Sequence, residues 1–195
     1  ALGRAASDLA EPTAPAPPAD GPAAAVPPEV RSGHKSGKKR KKHRKEPVRA
    51  AAALPPGIFD GTPEAHRALL ADPANLLVVD GYNVARAAWS GLAPEEERRR
   101  TVALLDDVQA RSGGRVVVVF DGDDAVTAPK ASKNVRVRFS ATGQTADDAI
   151  VDLLAATAEA TPVVVVSSDR AVAADARRQG ATAVGSREFL VAAGR

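Results

Sequence analysis

Three aliphatic runs of the sequence end on an aspartate. "LLVVD" ends on Asp80, "VVVVFD" on Asp121 and "VVVVSSD" on Asp169. Two further aspartates, Asp147 and Asp148, lie in the first turn of a predicted helix. Two carboxylates about 4 Å apart repel each other by roughly 4 kcal/mol at an effective dielectric near 20. A cluster of them therefore predicts a hard divalent cation with oxygen ligands, Mg²⁺ or Mn²⁺, and such a site suits phosphodiester hydrolysis.

Each of these aspartates also has a simpler explanation. An aspartate after a strand is a common turn residue, and one in a first helical turn is a common cap. Thr145 and Asp148 have the spacing of a capping box. Zinc is disfavoured because the chain has no Cys and no His-x-x-x-His pair, and no glycine-rich nucleotide-binding motif is present.

The elements that must position these aspartates form a regular alternation of strands and helices. The predicted strands are Leu76–Asp80, Arg115–Phe120, Val135–Phe139, Pro162–Ser167 and Thr182–Val184. Nearly pure aliphatic runs are typical of central strands in a parallel sheet, whereas the alternating "VRVRF" predicts an edge strand. The fold class is therefore α/β, a three-layer sandwich with a mainly parallel sheet of about five strands. In such a sheet all three strand-end aspartates lie at one edge, where ligands bind.

The first 56 residues differ in composition from the rest. They contain ten of the fifteen Pro residues and no apolar periodicity, which predicts a disordered tail before a domain at residues 57–195. Within residues 31–49, ten Lys or Arg stand against one Glu, a local net charge of +9 that leaves −6 for the remainder. The tract is either a solubilising tail or an arm for RNA phosphates. The residues of the proposed arm are Lys38, Lys39, Arg40, Lys41, Lys42, Arg44 and Lys45.

Four segments in order resemble a known family. They are "LLVVDGYNVARAAW", "VVVVFDG", "ATGQTADDAIVDLL" and "VVVVSSDRAVAADARRQGATAVGSREFL". They are similar to the NYN domain, in particular its YacP-like bacterial branch, over roughly residues 57–195. The resemblance implies a PIN-like α/β/α fold and a metal-dependent ribonuclease acting on RNA, including mRNA on the ribosome.

The resemblance also implies roles for single residues. Asp80 matches the central metal ligand, one or both of Asp147 and Asp148 match the acid at the helix start, and Asp169 matches the acid after the fourth strand. Asp121 is a further expected ligand. Three residues beside the aspartates also have expected roles. Asn83 either orients a phosphate or caps the next helix, and Gly81 allows a tight turn. Ser168 donates a hydrogen bond to a metal-binding carboxylate.

The sequence departs from the family at one position. Many relatives carry a second acid shortly after the equivalent of Asp169, where this chain has Ala171, and Arg170 is instead expected to contact RNA phosphate. A strip of Arg and Lys residues is another expected RNA contact. Tyr82 and Trp89 are expected either to stack on RNA bases or to pack within the protein. The strip consists of Lys130, Lys133, Arg136 and Arg138, which equally suit the wet face of an edge strand.

The sequence therefore predicts a cytoplasmic RNA endonuclease without a membrane span. The alternative is a non-catalytic RNA- or ribosome-binding module on the same fold. A phosphatase that uses an aspartate nucleophile is disfavoured, because the second aspartate it needs is replaced by Tyr82.

Overall fold

Alternating strands and helices make up most of the part of the chain that this computed structural model describes, residues 49–122, 132 and 134–195. The helices are α1 (Pro63–Ala71), α2 (Gly81–Ala88), α3 (Pro94–Ser112), α4 (Ala146–Ala156), α5 (Arg170–Arg178) and α6 (Ser186–Ala192). The strands are β1 (Leu76–Asp80), β2 (Arg115–Phe120), β3 (Val135–Phe139), β4 (Val163–Val166) and β5 (Thr182–Val184). All five predicted strands are confirmed, and β4 is the one with shorter bounds than expected.

The strands form a single parallel sheet in the order β3-β2-β1-β4-β5. The aliphatic strands β1, β2 and β4 occupy the centre, and nearly all their side chains are buried. The alternating strand β3 lies at one edge, as its pattern predicts. Because β1 pairs with both β2 and β4, Asp80 at its end lies between the turns that follow these two neighbours.

Helices cover the sheet on both faces, which makes the predicted three-layer α/β sandwich. Alternate strand residues enter two separate cores. One core receives apolar side chains from α1, α2, α3 and α6, including Leu105 and Phe189. The other receives Ile150 and Leu154 of α4 and Val172 of α5. Because helices pack on both faces, the ends of the strands are held in place, and the turns that carry the aspartates are held with them.

Arg49 belongs to the folded domain, which differs from its assignment to a basic tail. Its side chain is buried, and its guanidinium donates hydrogen bonds to five backbone carbonyls. Four of them lie at or just beyond the end of α4, at Leu154, Thr157, Ala158 and Thr161. Carbonyls at a helix C-terminus lack intrahelical donors and carry partial negative charge, so a buried arginine fork satisfies them. Nothing in the local sequence distinguishes this arginine from those that precede it.

The structure also describes residues 50–56 of the predicted tail, whereas residues 1–48, with the cations from Lys38 to Lys45, lie outside the described residues. The same is true of Lys130 and Lys133. Within the described ranges, no helix has the length and apolar character needed to cross a membrane.

Candidate active site

Asp80 and Asp169 are joined through one serine at the carboxyl-terminal edge of the sheet. Asp80 ends β1 and caps α2, and its Oδ1 accepts the Asn83 N–H at 3.1 Å. Its Oδ2 accepts the Ser167 hydroxyl at 2.9 Å, and Ser167 Oγ in turn accepts the Asp169 N–H at 3.1 Å. Ser167, rather than the expected Ser168, therefore bonds the buried carboxylate.

Asp121 connects the end of β2 to the start of α4. Its Oδ1 accepts the N–H of Ala146 at 2.6 Å, the first residue of that helix. An anion is favoured there by the unpaired N–H groups and the helix dipole. This contact places the first turn of α4, with its two aspartates, at the same sheet edge as Asp80, as the sequence predicts.

The two aspartates of α4 have different roles in the structure. Asp148 closes a capping box with Thr145: its Oδ2 accepts both the backbone N–H at 3.2 Å and the hydroxyl at 2.8 Å. Asp147 makes no such hydrogen bond and is half-buried. Because Asp148 is committed to the helix end, Asp147 is the better candidate for binding a ligand.

Electrostatics link the aspartates of the edge. Burial raises the pKa of the Asp80 carboxyl above its ordinary value of 3.8, and the charges of Asp147 and Asp121 add to that rise, while hydrogen bonds from Asn83 and Ser167 oppose it. Burial also raises the pKa of Asp147, and the charges of Asp169, Asp121 and Asp148 raise it further. Of the described residues, no Lys or Arg forms an ion pair with any of these five aspartates.

We define the carboxylate edge as Asp80, Asp121, Asp147 and Asp169. Its possible metal ligands are all oxygens, and no Lys or Arg in the described ranges forms an ion pair with them, which fits Mg²⁺ or Mn²⁺ in chemistry. Asp121 and Asp169 each have one oxygen engaged with backbone N–H groups and a second oxygen without a protein partner among the described residues. In that part of the chain, however, no three carboxylate or imidazole side chains are close enough to form a ready metal-binding group. The side chains fit a divalent cation in type, but they do not form a closed ligand shell.

Asn83 is held by its side chain as well as by its backbone. Its Oδ1 accepts the N–H of Ser168 at 2.9 Å and the hydroxyl of Ser186 at 2.6 Å. Ser186, the first residue of α6, is not among the residues that the sequence predicts for the site. No local pattern could have found the pair, because 103 positions separate the two residues.

Gly81 makes room for an aromatic ring rather than for a tight turn. It is the first residue of α2, and its φ is not among the positive values found at other glycines. A Cβ at this position would overlap the ring of Phe120, which is fully buried and packs edge-on against Tyr82 at 5.2 Å. The missing side chain therefore lets the first turn of α2 lie directly against the end of β2.

Tyr82 and Trp89 are packing residues, so the expectation that they stack on RNA bases is not supported. Each is only 8% exposed. The Tyr82 hydroxyl accepts a hydrogen bond from Arg98 Nη1 at 2.5 Å, and the Trp89 ring lies beneath the guanidinium of Arg195 at 4.4 Å.

A cationic groove of about 810 Å³ lies between β3 and α4. Arg115, Arg136 and Arg138 line it opposite Leu153 and Ala156, and none of its described lining residues is acidic. The groove begins at the amino-terminal ends of β1 and β2, where Leu76 and Gly114 line it, and it extends along β3 to Arg138. Arg138 pairs in register with Val119, two residues before Asp121. Arg170 is also exposed at that edge, at the first position of α5.

Residues 77–193 match the sequence profile of the YacP-like NYN domain. The uncharacterized protein YacP of Bacillus subtilis strain 168 is 34% identical over 125 residues, which cover 60% of this chain and 73% of that protein.

Two crystal structures of Rae1 (YacP) from Bacillus subtilis are similar in fold. One is of a mutant in which a tryptophan is replaced by leucine; it is 32% identical with a TM-score of 0.52, covering 61% of this chain and 74% of that one. The other structure of Rae1 (YacP) has the same TM-score and identity, and the match covers 60% of this chain and 72% of that one.

Proposed function

Because this chain belongs to the YacP-like NYN domain family, a family of PIN-like nucleases, we propose that it is a metal-dependent endoribonuclease. The reaction is hydrolysis of phosphodiester bonds in RNA. The observation that carries this proposal is the carboxylate edge, where Asp80 and Asp147 have raised pKa values in part because neighbouring carboxylates repel them. Negative charge at the ligand-binding edge of a parallel sheet, with no ion pair to a Lys or Arg that the structure describes, is expected where a divalent cation binds.

The residues that would hold Mg²⁺ or Mn²⁺ are Asp80, Asp147 and Asp169, with Asp121 as a further ligand. A bound divalent cation would activate water and stabilise the leaving oxygen of a phosphodiester. The chain itself orients the ligands: Ser167 holds the Asp80 carboxylate, and the backbone of α5 holds one oxygen of Asp169. Asp148 would act indirectly, by fixing the helix that carries Asp147.

The proposed substrate is an RNA strand that leaves the carboxylate edge along the cationic groove. Arg136 and Arg138 would contact its phosphates, and Arg170 would contact it at the edge itself. Charge of this kind contributes affinity without sequence specificity. Lys130, Lys133 and the arm from Lys38 to Lys45 remain proposed phosphate contacts on the basis of their sequence alone. Mutating both Arg136 and Arg138 to Gln should lower the dependence of RNA affinity on salt by about one to two released ions, measured by fluorescence anisotropy.

A non-catalytic RNA-binding module is the second candidate. Two points favour it: the described residues contain no ready group of three metal-binding side chains, and Ala171 stands where the family resemblance implies a second acid. Such a protein would keep the fold and the groove while binding metal weakly.

The test is RNA cleavage by the full chain with and without Mn²⁺, on free RNA and on ribosome-bound mRNA. We expect cleavage only with the metal, and loss of cleavage in Asp80→Asn because this aspartate is central to the carboxylate edge. Asp107→Asn is the matched control, since Asp107 is an exposed aspartate of α3. Circular dichroism should show both variants folded.

The outcomes separate the two candidates. Equal cleavage by wild type and Asp80→Asn would refute the metal site as the source of activity. RNA binding without cleavage on either substrate would select the binding module.

A further inference from the structure

Three turns at the carboxyl-terminal edge meet at the side chain of Asn83. Asn83 lies in the first turn of α2, Ser168 in the turn between β4 and α5, and Ser186 at the start of α6. Asn83 Oδ1 accepts hydrogen bonds from both serines, and Ser168 Oγ accepts the Ser186 N–H at 2.9 Å. Ser186 is fully buried at 0% exposure. Solvent therefore cannot replace the hydrogen bond between the Ser186 hydroxyl and Asn83 Oδ1.

The directions of these hydrogen bonds follow from chemistry. The backbone N–H of Ser168 can only donate, so the side-chain atom that meets it must be the amide oxygen of Asn83. The Ser186 hydroxyl must then donate to the same oxygen, which has no proton to offer. The amide orientation is fixed, and Nδ2 has to lie on the other side of the group.

Asn83 Nδ2 has two N–H donors and no protein acceptor among the described residues. Asn83 as a residue is half-buried, so part of it is open to a ligand at this edge of the sheet. Asn83 contacts the neighbourhood of two residues of the carboxylate edge: its backbone N–H donates to Asp80, and its Oδ1 accepts from Ser168, which directly precedes Asp169. A free double donor in this position suits an oxygen of a bound phosphodiester.

We propose that Ser186 is a positioning residue, which fixes the Asn83 amide so that Nδ2 donates to a phosphate oxygen of RNA at the carboxylate edge. The proposal rests on the proposed nuclease function. Without the Ser186 hydroxyl, Asn83 Oδ1 keeps a single hydrogen bond and the amide rotates more freely. Donors held in place before the substrate arrives cost no reordering when it binds and reacts.

The kinetic test uses Ser186→Ala in the full chain. We expect kcat to fall about three- to tenfold, the usual effect of one hydrogen bond, with KM nearly unchanged because phosphate contacts elsewhere dominate binding. Thr101→Val is the control: it removes an equally buried hydroxyl, which in wild type bonds the Glu97 carbonyl within α3. In an Asn83→Ala background, Ser186→Ala should have no further effect on kcat.

A second readout does not need activity. The side-chain amide of Asn83 gives ¹⁵N NMR signals whose heteronuclear NOE reports its mobility on the nanosecond timescale. We expect a rigid amide in wild type and in Thr101→Val, and a mobile one in Ser186→Ala. Added Mn²⁺ should broaden these signals in wild type, because Asn83 directly contacts Asp80 and the turn that carries Asp169.

The outcomes distinguish this proposal from the function on which it rests. An inactive wild type would refute the nuclease, and the NMR measurement would still decide the role of Ser186. A kcat of Ser186→Ala equal to that of Thr101→Val would overturn the proposal. So would an equal loss in both Asn83 backgrounds, or an amide whose mobility does not change.

Discussion

Removing residues 1–48 and removing residues 1–56 should affect the stability of the domain very differently. The shorter truncation ends just before Arg49, whereas the longer one deletes it. The longer truncation also deletes Ala50, whose N–H donates to the Glu159 carbonyl at 2.7 Å, and Leu54, which packs against the core. Arg49 and Ala50 thus hold the end of α4 and the residues just after it, whereas Leu54 packs against the core on the other face of the sheet.

The size of the difference follows from these contacts. Hydrogen bonds that involve a charged group contribute about 1.5–3 kcal/mol, and the carbonyls that Arg49 leaves behind at the helix end are partly buried. Partial burial of one leucine adds about 1 kcal/mol. The longer truncation should therefore lower the free energy of unfolding by about 3–4 kcal/mol, a large part of the roughly 5–15 kcal/mol typical of a domain.

The assay is urea unfolding followed by circular dichroism, on both truncated chains and on the shorter truncation carrying Arg49→Gln. The glutamine variant should reproduce most of the loss, because it keeps the backbone contacts and removes the guanidinium. Equal unfolding free energies for the two truncations would refute the structural role of Arg49. If the arm binds phosphates, both truncations should lose the same part of the salt dependence of RNA affinity, since both lack Lys38 to Lys45.

Three further predictions concern the carboxylate edge. Gly81→Ala should lower the free energy of unfolding by about 1–3 kcal/mol through overlap with Phe120, and additional Phe120→Leu should restore part of it; additive losses in urea unfolding would contradict the overlap. Asp147→Asn should abolish Mn²⁺-dependent cleavage, whereas Asp148→Asn should mainly lower the melting temperature, by an amount typical of a lost cap of about 1 kcal/mol; the reverse pattern would exchange their roles. Because the folded-state pKa of Asp80 is raised, its contribution to metal-free stability is fully present below 3.8 and is lost as pH rises through the raised value. Asp80→Asn should therefore gain stability relative to wild type as pH increases, and parallel curves would refute the shift.

The arrangement of the strands could be predicted from the sequence because strand patterns are local. Long aliphatic runs identified β1, β2 and β4 as central, and the alternation of Arg136 and Arg138 identified β3 as an edge. The expected meeting of Asp80, Asp121 and the start of α4 required only the rule that parallel strands end at one side. The spacing of Thr145 and Asp148 also indicated the capping box that the structure contains.

What the sequence could not supply are contacts between distant positions. The ring of Phe120 explains Gly81, and Ser186 holds Asn83, yet neither pair is close along the chain. The prediction that Arg49 belongs to the tail is wrong for a related reason. Arg49 is the last cation of the basic tract, and only the folded end of α4 provides the carbonyls to which it donates. Local patterns predict elements, whereas packing decides these side chains.

The position of β3 has a consequence for how copies of this protein behave toward each other. Within the described part of the chain no strand pairs with its outer side, so its backbone groups could accept a strand from another molecule. Arg136 and Arg138 place positive charge along this open edge, and two such edges repel when they approach. The same two arginines that we assign to RNA would thus also protect the protein from self-association. Neutral variants made to test RNA binding should be more prone to aggregate, and bound RNA, by cancelling this charge, should have the same effect at high protein concentration.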